Sequence, residues 1–312
     1  MKPAAAIAMR LRVPAVSFLA CGLAWGFASS ARAEEFTKSY SVTGRADVRV
    51  HVDDSSVSVL TSDTNKIEFR VKNEGFSTFN IGGKLHIDSQ QNGNQVELTV
   101  LKEPGVTIGV SYKRLSTEVR MPKNADLLVQ TTDGSVEVSS INGTITIHTA
   151  DGAVKASQLA GKIDVKTVDG SISIETLTGD TKLHSVDGAI AVAHFDGKCK
   201  ASSTDGSIHL GGRFDFLDIK STDGSVVAKV APGSKMSSAW SIQSVDGSVD
   251  LALPQDFQAN LDARTGDGHI TLGLPVAVQG NIGKTEVRGT MNGGGPALTI
   301  HTGDGSIHIG SS

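Results

Sequence analysis

Residues 131–151 read Thr-Thr-Asp-Gly-Ser-Val-Glu-Val-Ser-Ser-Ile-Asn-Gly-Thr-Ile-Thr-Ile-His-Thr-Ala-Asp. Val136 and Val138 alternate with Ser135 and Glu137, the period-two pattern of a strand with one buried face. Ile145, Ile147 and Thr149 alternate with Thr144, Thr146 and His148 in the same way. Between the two runs the parity slips, because the next apolar residue is Ile141 rather than residue 140. Asn142-Gly143 then marks a turn. At Asp151-Gly152 the pattern starts again, 18 residues after Asp133-Gly134.

Self-similarity at a fixed period outranks any single motif. Asp-Gly recurs at Asp133, Asp151, Asp169, Asp187, Asp205 and Asp223 at steps of 18 residues, and again at Asp246, Asp267 and Asp304 after 23, 21 and 37. Two residues before each Asp stands Ser or Thr: Thr131, Thr149, Thr167, Ser185, Ser203, Ser221, Ser244, Thr265 and Thr302. Apolar residues stand four and three positions to either side, as Val165 and Ile172 do around Asp169. Inward columns are expected six before the Asp (Leu127, Ile145, Ile163, Thr181, Cys199, Leu217, Trp240, Leu261, Leu298) and five after it (Val138, Ala156, Ile174, Val192, Leu210, Ala228, Leu251, Leu272, Ile309). Asp54 fits the same frame as a degenerate copy over 48–59, with Val48, Val50, Val57 and Val59 in the apolar columns, Ser55 in place of Gly and Val52 in place of the hydroxyl.

Two all-β folds fit this pattern: an antiparallel meander or sandwich, and a β-solenoid of 18-residue coils with two short strands each. Three features favour the solenoid. The Asp-Gly turn repeats every 18 residues while the second turn varies (Asn142-Gly143, Ala160-Gly161, Thr178-Gly179, Asp196-Gly197), as stacking of residue i on i+18 requires. The parity slip recurs at Leu159, Leu177 and Phe195, and a corner produces it where a continuous strand would turn those residues to the wrong face. A meander would also leave its apolar face bare, with no helix pattern to cover it, whereas a solenoid closes its own core.

The remaining segments set the domain plan. Residues 1–33 read as a signal peptide: Lys2, Arg10 and Arg12, an apolar run from Val13 to Phe27, then Ala31-Arg32-Ala33. The run is shorter than the ~20 residues of a membrane span, and no later stretch could cross one, so no transmembrane anchor is expected after its removal. Residues 34–122 form a less regular β section, a cap, with a hairpin signal at Asn92-Gly93. Residues 123–312 are the Asp-Gly repeat, free of proline from 123 to 230 as central strands require. Loops are marked by Pro232-Gly233, Leu253-Pro254 and Asn292 to Pro296.

Composition narrows the chemistry. Hydrophobic residues make up 38% and aromatics 4% of the 312 residues, so the core is thin and aliphatic. Loss of the leader removes four of 29 basic residues and leaves 33 acidic ones, a net charge of about −8, which argues against nucleic acid as a partner. Cys199 is then the sole cysteine; no internal disulfide forms, and an inward position makes it a buried small hydrophobe. No serine-hydrolase elbow, zinc-protease helix motif, phosphate loop or paired-cysteine motif is present, so no catalytic or cofactor-binding residue is expected. His148 and His184 fall two coils apart in an outward column, too far to share a metal. For the Asp-Gly turns the structural reading is a corner, with Gly tolerating positive φ, Asp accepting a backbone hydrogen bond, and the preceding hydroxyl serving groups the corner leaves unpaired. The chemical reading is a calcium ladder on Asp133, Asp151, Asp169, Asp187, Asp205 and Asp223, since stacked carboxylates repel and a hard cation would relieve them. One Asp per coil and few flanking glycines count against it.

Four stretches in order carry a resemblance: Met121-Pro-Lys-Asn-Ala-Asp-Leu127; the run of Thr/Ser-x-Asp-Gly units; Leu253-Pro-Gln-Asp-Phe-Gln-Ala-Asn-Leu-Asp-Ala263 leading into Thr265-Gly-Asp-Gly268; and Asn292-Gly-Gly-Gly-Pro-Ala-Leu-Thr-Ile-His-Thr302. Together they resemble the bacterial "putative adhesin" family of β-strand-repeat proteins, a domain of unknown function. The resemblance implies an exported, non-catalytic scaffold of the cell envelope, periplasmic, surface-bound or secreted, with a protein or glycan partner. It carries over no site residue. The competing expectations are a calcium-stabilised β-roll-like module and a polysaccharide-acting β-helix enzyme, for which only 231–239 and 275–297 leave room for a cleft.

Overall fold

The structure, a computed structural model, describes residues 34–278 and 283–312; the leader expected over 1–33 lies outside them. Every regular element among the described residues is a β-strand, 24 in all, joined by hydrogen bonds into one mixed sheet. No helix among the described residues is long and apolar enough to cross a membrane.

From Ala125 to Ser221 the pairing is parallel and nearly uniform. Ile145 stands between Leu127 and Ile163, and Ile163 between Ile145 and Thr181, so residue i pairs with i+18. The shorter runs do the same, Val136 with Val154 and Val154 with Ile172. Near residue 176 the two runs merge into single long strands, Ile172–His184, Ile190–Ser203 and Ile208–Ser221, with register shifts after Val192 and Gly197. The antiparallel meander therefore does not describe this stretch. Alternating Val and Ile on one strand face and Ser, Thr and Lys on the other give each strand a single side to bury.

That side is the core. All nine residues of the column six before the Asp are buried, Thr181 and Trp240 among them. The column five after is buried from Val138 to Leu251 and at Ile309, and half-buried only at Leu272. Ile141, Leu159, Leu177 and Phe195, the residues of the parity slip, are buried too. Where the coils enlarge, aromatics fill the space: Phe195 stacks on Phe214 at 5.0 Å, Phe214 meets Trp240 at 6.3 Å and Trp240 meets Phe257 at 5.2 Å.

At the N-terminal end Val48, Val50 and Val52 pair with Leu127, Val129 and Thr131, and Val57 and Val59 with Val136 and Val138. Residues 66–122 of the irregular section form one long hairpin, with Glu34–Ser41 added antiparallel along its first strand. Lys66–Gly82 runs antiparallel to Gly105–Pro122, and Leu85–Asn92 to Gln95–Lys102. Its base pairs with Ser55–Ser62 and its tip with Ala46–Val52, so it covers both runs of the first coil.

At the other end the spatial order departs from chain order. Ala297–Thr302 lies between Trp240–Gln243 and Ala259–Thr265, and Ile307–Ser311 between Val249–Leu253 and Ile270–Leu272. The Asp304 copy is thus inserted between the Asp246 and Asp267 copies. Ile270 and Leu272, in the last row, are only half-buried.

Candidate functional site

At seven of the nine Asp-Gly corners the glycine N–H is held by the hydroxyl two residues before the Asp. Gly152 N–H donates to Thr149 Oγ1 at 3.2 Å, Gly170 to Thr167 Oγ1 at 3.1 Å, Gly188 to Ser185 Oγ at 2.9 Å and Gly206 to Ser203 Oγ at 3.0 Å. Hydroxyls of this column also donate to a neighbouring coil: Thr167 to the Gly152 carbonyl at 3.4 Å, Ser185 to Gly170 at 3.3 Å, Thr302 to Gly247 at 2.8 Å and Thr265 to Gly305 at 2.6 Å. Thr167, Ser185, Ser203 and Thr302 thereby each meet one N–H and one C=O, the condition for burying such groups without penalty. Ser244 makes only the first kind of bond and Thr265 only the second, and the Ser221 Oγ is buried without a partner.

The glycine is required for a different reason from the one its sequence suggests. Most of the Asp-Gly glycines do not have positive φ. A Cβ at Gly170 would overlap the carbonyl oxygen of Gly152, and the same holds at Gly188, Gly206, Gly224 and Gly247 over the glycine one coil before. Close approach of stacked backbones, rather than turn conformation, selects glycine. Positive φ belongs to the second corner, at Gly161, Gly179 and Gly197 and at Ser140 and Gln158. Nor does the Asp close the corner through its side chain: the Asp169 N–H donates to the Ala150 carbonyl at 3.0 Å, and the Asp187 and Asp205 N–H groups repeat this on Val168 and Val186. All nine Asp-Gly carboxylates are exposed.

The carboxylates therefore form a row on one edge, one per coil, with Asp54 at its end. Lys102 Nζ lies 2.7 Å from Asp54 Oδ2, and this hydrogen bond holds the Asp54 carboxyl below its ordinary range. Asp133 moves the other way, raised first by sharing a hydrogen bond with Asp54, then by desolvation and the Asp54 and Asp151 charges. As a calcium site the row is a poor donor set. Each level supplies one carboxylate, and glycine carbonyls that could complete a shell already accept hydroxyls. Among the described residues no three His, Cys, Asp or Glu side chains are grouped to hold a metal.

The other titratable groups serve structure. Burial pushes the Cys199 thiol up to about 12, so it carries no thiolate at neutral pH. His184 Nδ1 is 2.8 Å from Ser202 Oγ. His148 and His184 flank Lys166 in register, two strands apart. Arg45 grips Asp126 at 2.9 and 3.1 Å, tying the first coil to the second. Two of the concave surfaces bear on the repeat and its loops. An open groove of about 720 Å³ crosses the outer face of the shorter runs, its sides formed by residues such as Glu137, Lys155, Ala191 and His209. A pocket of about 480 Å³ lies where Gly233–Met236, Pro254–Gln258 and Gly295–Pro296 converge. Part of the second region in which room for a cleft was expected, 279–282, lies outside the described residues.

The model of one protein family matches residues 45–310. The chain belongs to the Toastrack DUF4097 family. No curated protein matches it significantly. Among solved structures it is similar to a "putative adhesin" from Parabacteroides merdae (12% identity over 88% of this chain and 96% of that one, TM-score 0.42) and one from Parabacteroides distasonis (11%, 88% and 97%, TM-score 0.41). A "putative lipid binding protein" from Parabacteroides distasonis is similar to the same degree (11%, 89% and 98%, TM-score 0.40). Likenesses this distant carry no argument about ligand or coil geometry.

In this Toastrack chain the hydroxyl column was legible in the sequence, because Ser or Thr never fails two residues before the Asp. The grooves were not, since nothing in the repeat distinguishes Ala191 or His209 from any other outward residue.

Proposed function

We propose that the chain is an exported, non-catalytic β-solenoid scaffold whose outer faces bind a protein or glycan partner at the bacterial cell envelope. One observation carries this reading. The groups that repeat most strictly, the corner hydroxyls, the glycines and the aliphatic columns, are spent on holding the coils together. The outward columns vary freely, as in Thr146, Asp164, Lys182, Lys200 and Asp218 along one row. A repeat that encodes its own support and leaves the exposed columns free is suited to recognition. The groove past Lys155 and Ala191, open and about 720 Å³ in volume, spans several coils of the outer face and is the first place to look for contact.

The test is fractionation of the native host followed by crosslinking from a photoreactive residue at position 191. A partner captured there, and lost when Ala191→Trp fills the groove, supports the reading. Recovery of the protein in the cytoplasm, or release of sugars from acidic polysaccharides by the purified chain, would replace it with another.

A further inference from the structure

Two surfaces of the stack carry opposite charge at the same spacing. The outer face of the longer runs bears lysine on four consecutive coils: Lys162 and Lys166, Lys182, Lys198 and Lys200, and Lys220. All six are exposed. Three aspartates share the face: Asp164, Asp180 and Asp218. Among the described residues only Lys166 of the six has an ion-pair partner, Asp164 at 3.8 Å, while Lys200 lies over the Phe216 ring at 5.7 Å. The patch is net positive on a chain that is net negative overall. The Asp-Gly edge is its counterpart, one exposed carboxylate per coil, and among the described residues only Asp54 in that row has an ion pair. Both series inherit the ~4.8 Å separation of neighbouring strands: Lys182 and Lys200 are in register on consecutive coils and match two successive carboxylates of the edge, while the other four lysines flank that column on the same face.

We propose that the lysine-bearing sheet face docks the Asp-Gly edge of a second copy of this chain, with the two stack axes parallel. Face and edge are different patches, so the contact is heterologous and leaves one free face and one free edge; it propagates into open chains instead of closing as a dimer. The contact is polar and solvent-accessible, so its strength falls with ionic strength. A free anionic polymer offers the same charge, but its spacing is not tied to the strand separation. The matched pitch singles out a second copy.

The experiment is sedimentation velocity on the purified protein and two charge-reversed variants, each checked for native circular dichroism. One variant reverses the face, Lys182→Glu with Lys200→Glu; the other reverses the edge, Asp169→Lys with Asp187→Lys. These carboxylates are exposed and do not close the corner, so the edge variant retains the fold. In ~20 mM salt the native chain should show a concentration-dependent rise of at least roughly twofold in weight-average mass, abolished at ~500 mM salt. Each variant alone should stay monomeric, because Glu face then opposes Asp edge and Lys face opposes Lys edge. Mixing the two variants should restore association, since each supplies the complement the other lacks. A native chain monomeric at low salt, association that survives face reversal, or a mixture that stays monomeric would overturn the proposal. So would a monomeric native chain that binds polyglutamate through the same lysines.

Discussion

Thr167 shows how little of a corner is optional. Its hydroxyl accepts from Gly170 N–H at 3.1 Å and donates to Ala150 O at 3.1 Å, and the residue is buried. Thr167→Val keeps the shape and removes both bonds, leaving the buried Gly170 N–H unpaired at a cost of about 1–3 kcal/mol, while Ala150 O still accepts from the Val168 and Asp169 N–H groups; Thr167→Ser should retain most of the stability. Gly170→Ala should be worse than Thr167→Val, because the new Cβ overlaps Gly152 O and the backbone must part. Asp169→Asn should fall within ~0.5 kcal/mol of the native chain. Urea unfolding of the four variants checks the ranking, and an Asp169→Asn loss as large as that of Thr167→Val would return the corner to the carboxylate. Asp133 adds a pH dependence. Its folded pKa is raised, so its stabilising contribution is complete below the unfolded carboxylate value and is lost as pH rises through the folded one. Asp133→Asn should therefore melt higher than the native chain at neutral pH, and the gap should close as pH falls into the carboxylate range. Asp54, held low by Lys102, acts in the opposite sense: its contribution is present above the ordinary range and lost as pH falls below it. Lys102→Ala should thus flatten the acid limb of a melting-temperature profile.

At the scale of the strand, the sequence was legible wherever geometry repeats. Val136, Val154, Ile172, Ile190, Ile208 and Val226 share a column by spacing alone, and all are buried. Such a column resists charge: Ile172→Asp should cost more than ~3 kcal/mol, the transfer of a full aliphatic plus an unpaired buried carboxylate. Ile270→Asp in the half-buried last row should cost less, and a smaller loss at Ile172 than at Ile270 would mean the end row is not an end. Spacing did not reveal why the glycines are there. Asp-Gly is a turn former in isolation, and the close approach that excludes a Cβ arises only when two coils stack. The carboxylate row is likewise a property of stacked strands. Because its neighbouring carbonyls are occupied by hydroxyls, thermal melts with excess calcium and with chelator should superimpose; a rise of several degrees with calcium would make the row a binding element.

At the scale of the molecule, chain order and stacking order part company, and the sequence could not announce it. The gap of 37 residues between Asp267 and Asp304 reads as a long insertion before one more coil. The same gap accommodates an out-and-back excursion that slides the last copy beneath the one before it. Any copy fits any neighbour, because all share one frame. The consequence is mechanical. In a stack built in chain order, the C-terminal coil contacts one neighbour and its loss leaves the rest whole. Here Leu298 and Ile300 are buried between Trp240 and Ile242 on one side and Leu261 and Ala263 on the other. Removing residues 297–312 would cut the Ala259–Thr265 strand from the stack and open two apolar edges at once. Glu286–Met291 would still pair with Ala259–Thr265 from the other side, but truncation should abolish amide protection at Gly266 and Gly273, whose N–H groups donate to the Thr302 and Ile309 carbonyls, expose Trp240 to quencher and promote aggregation through the bared strands. Protection in 125–221 should persist, since those coils keep both neighbours. A truncated chain that keeps Gly266 and Gly273 protected would show Trp240–Gln243 pairing directly with Ala259–Thr265, as chain order alone would have it.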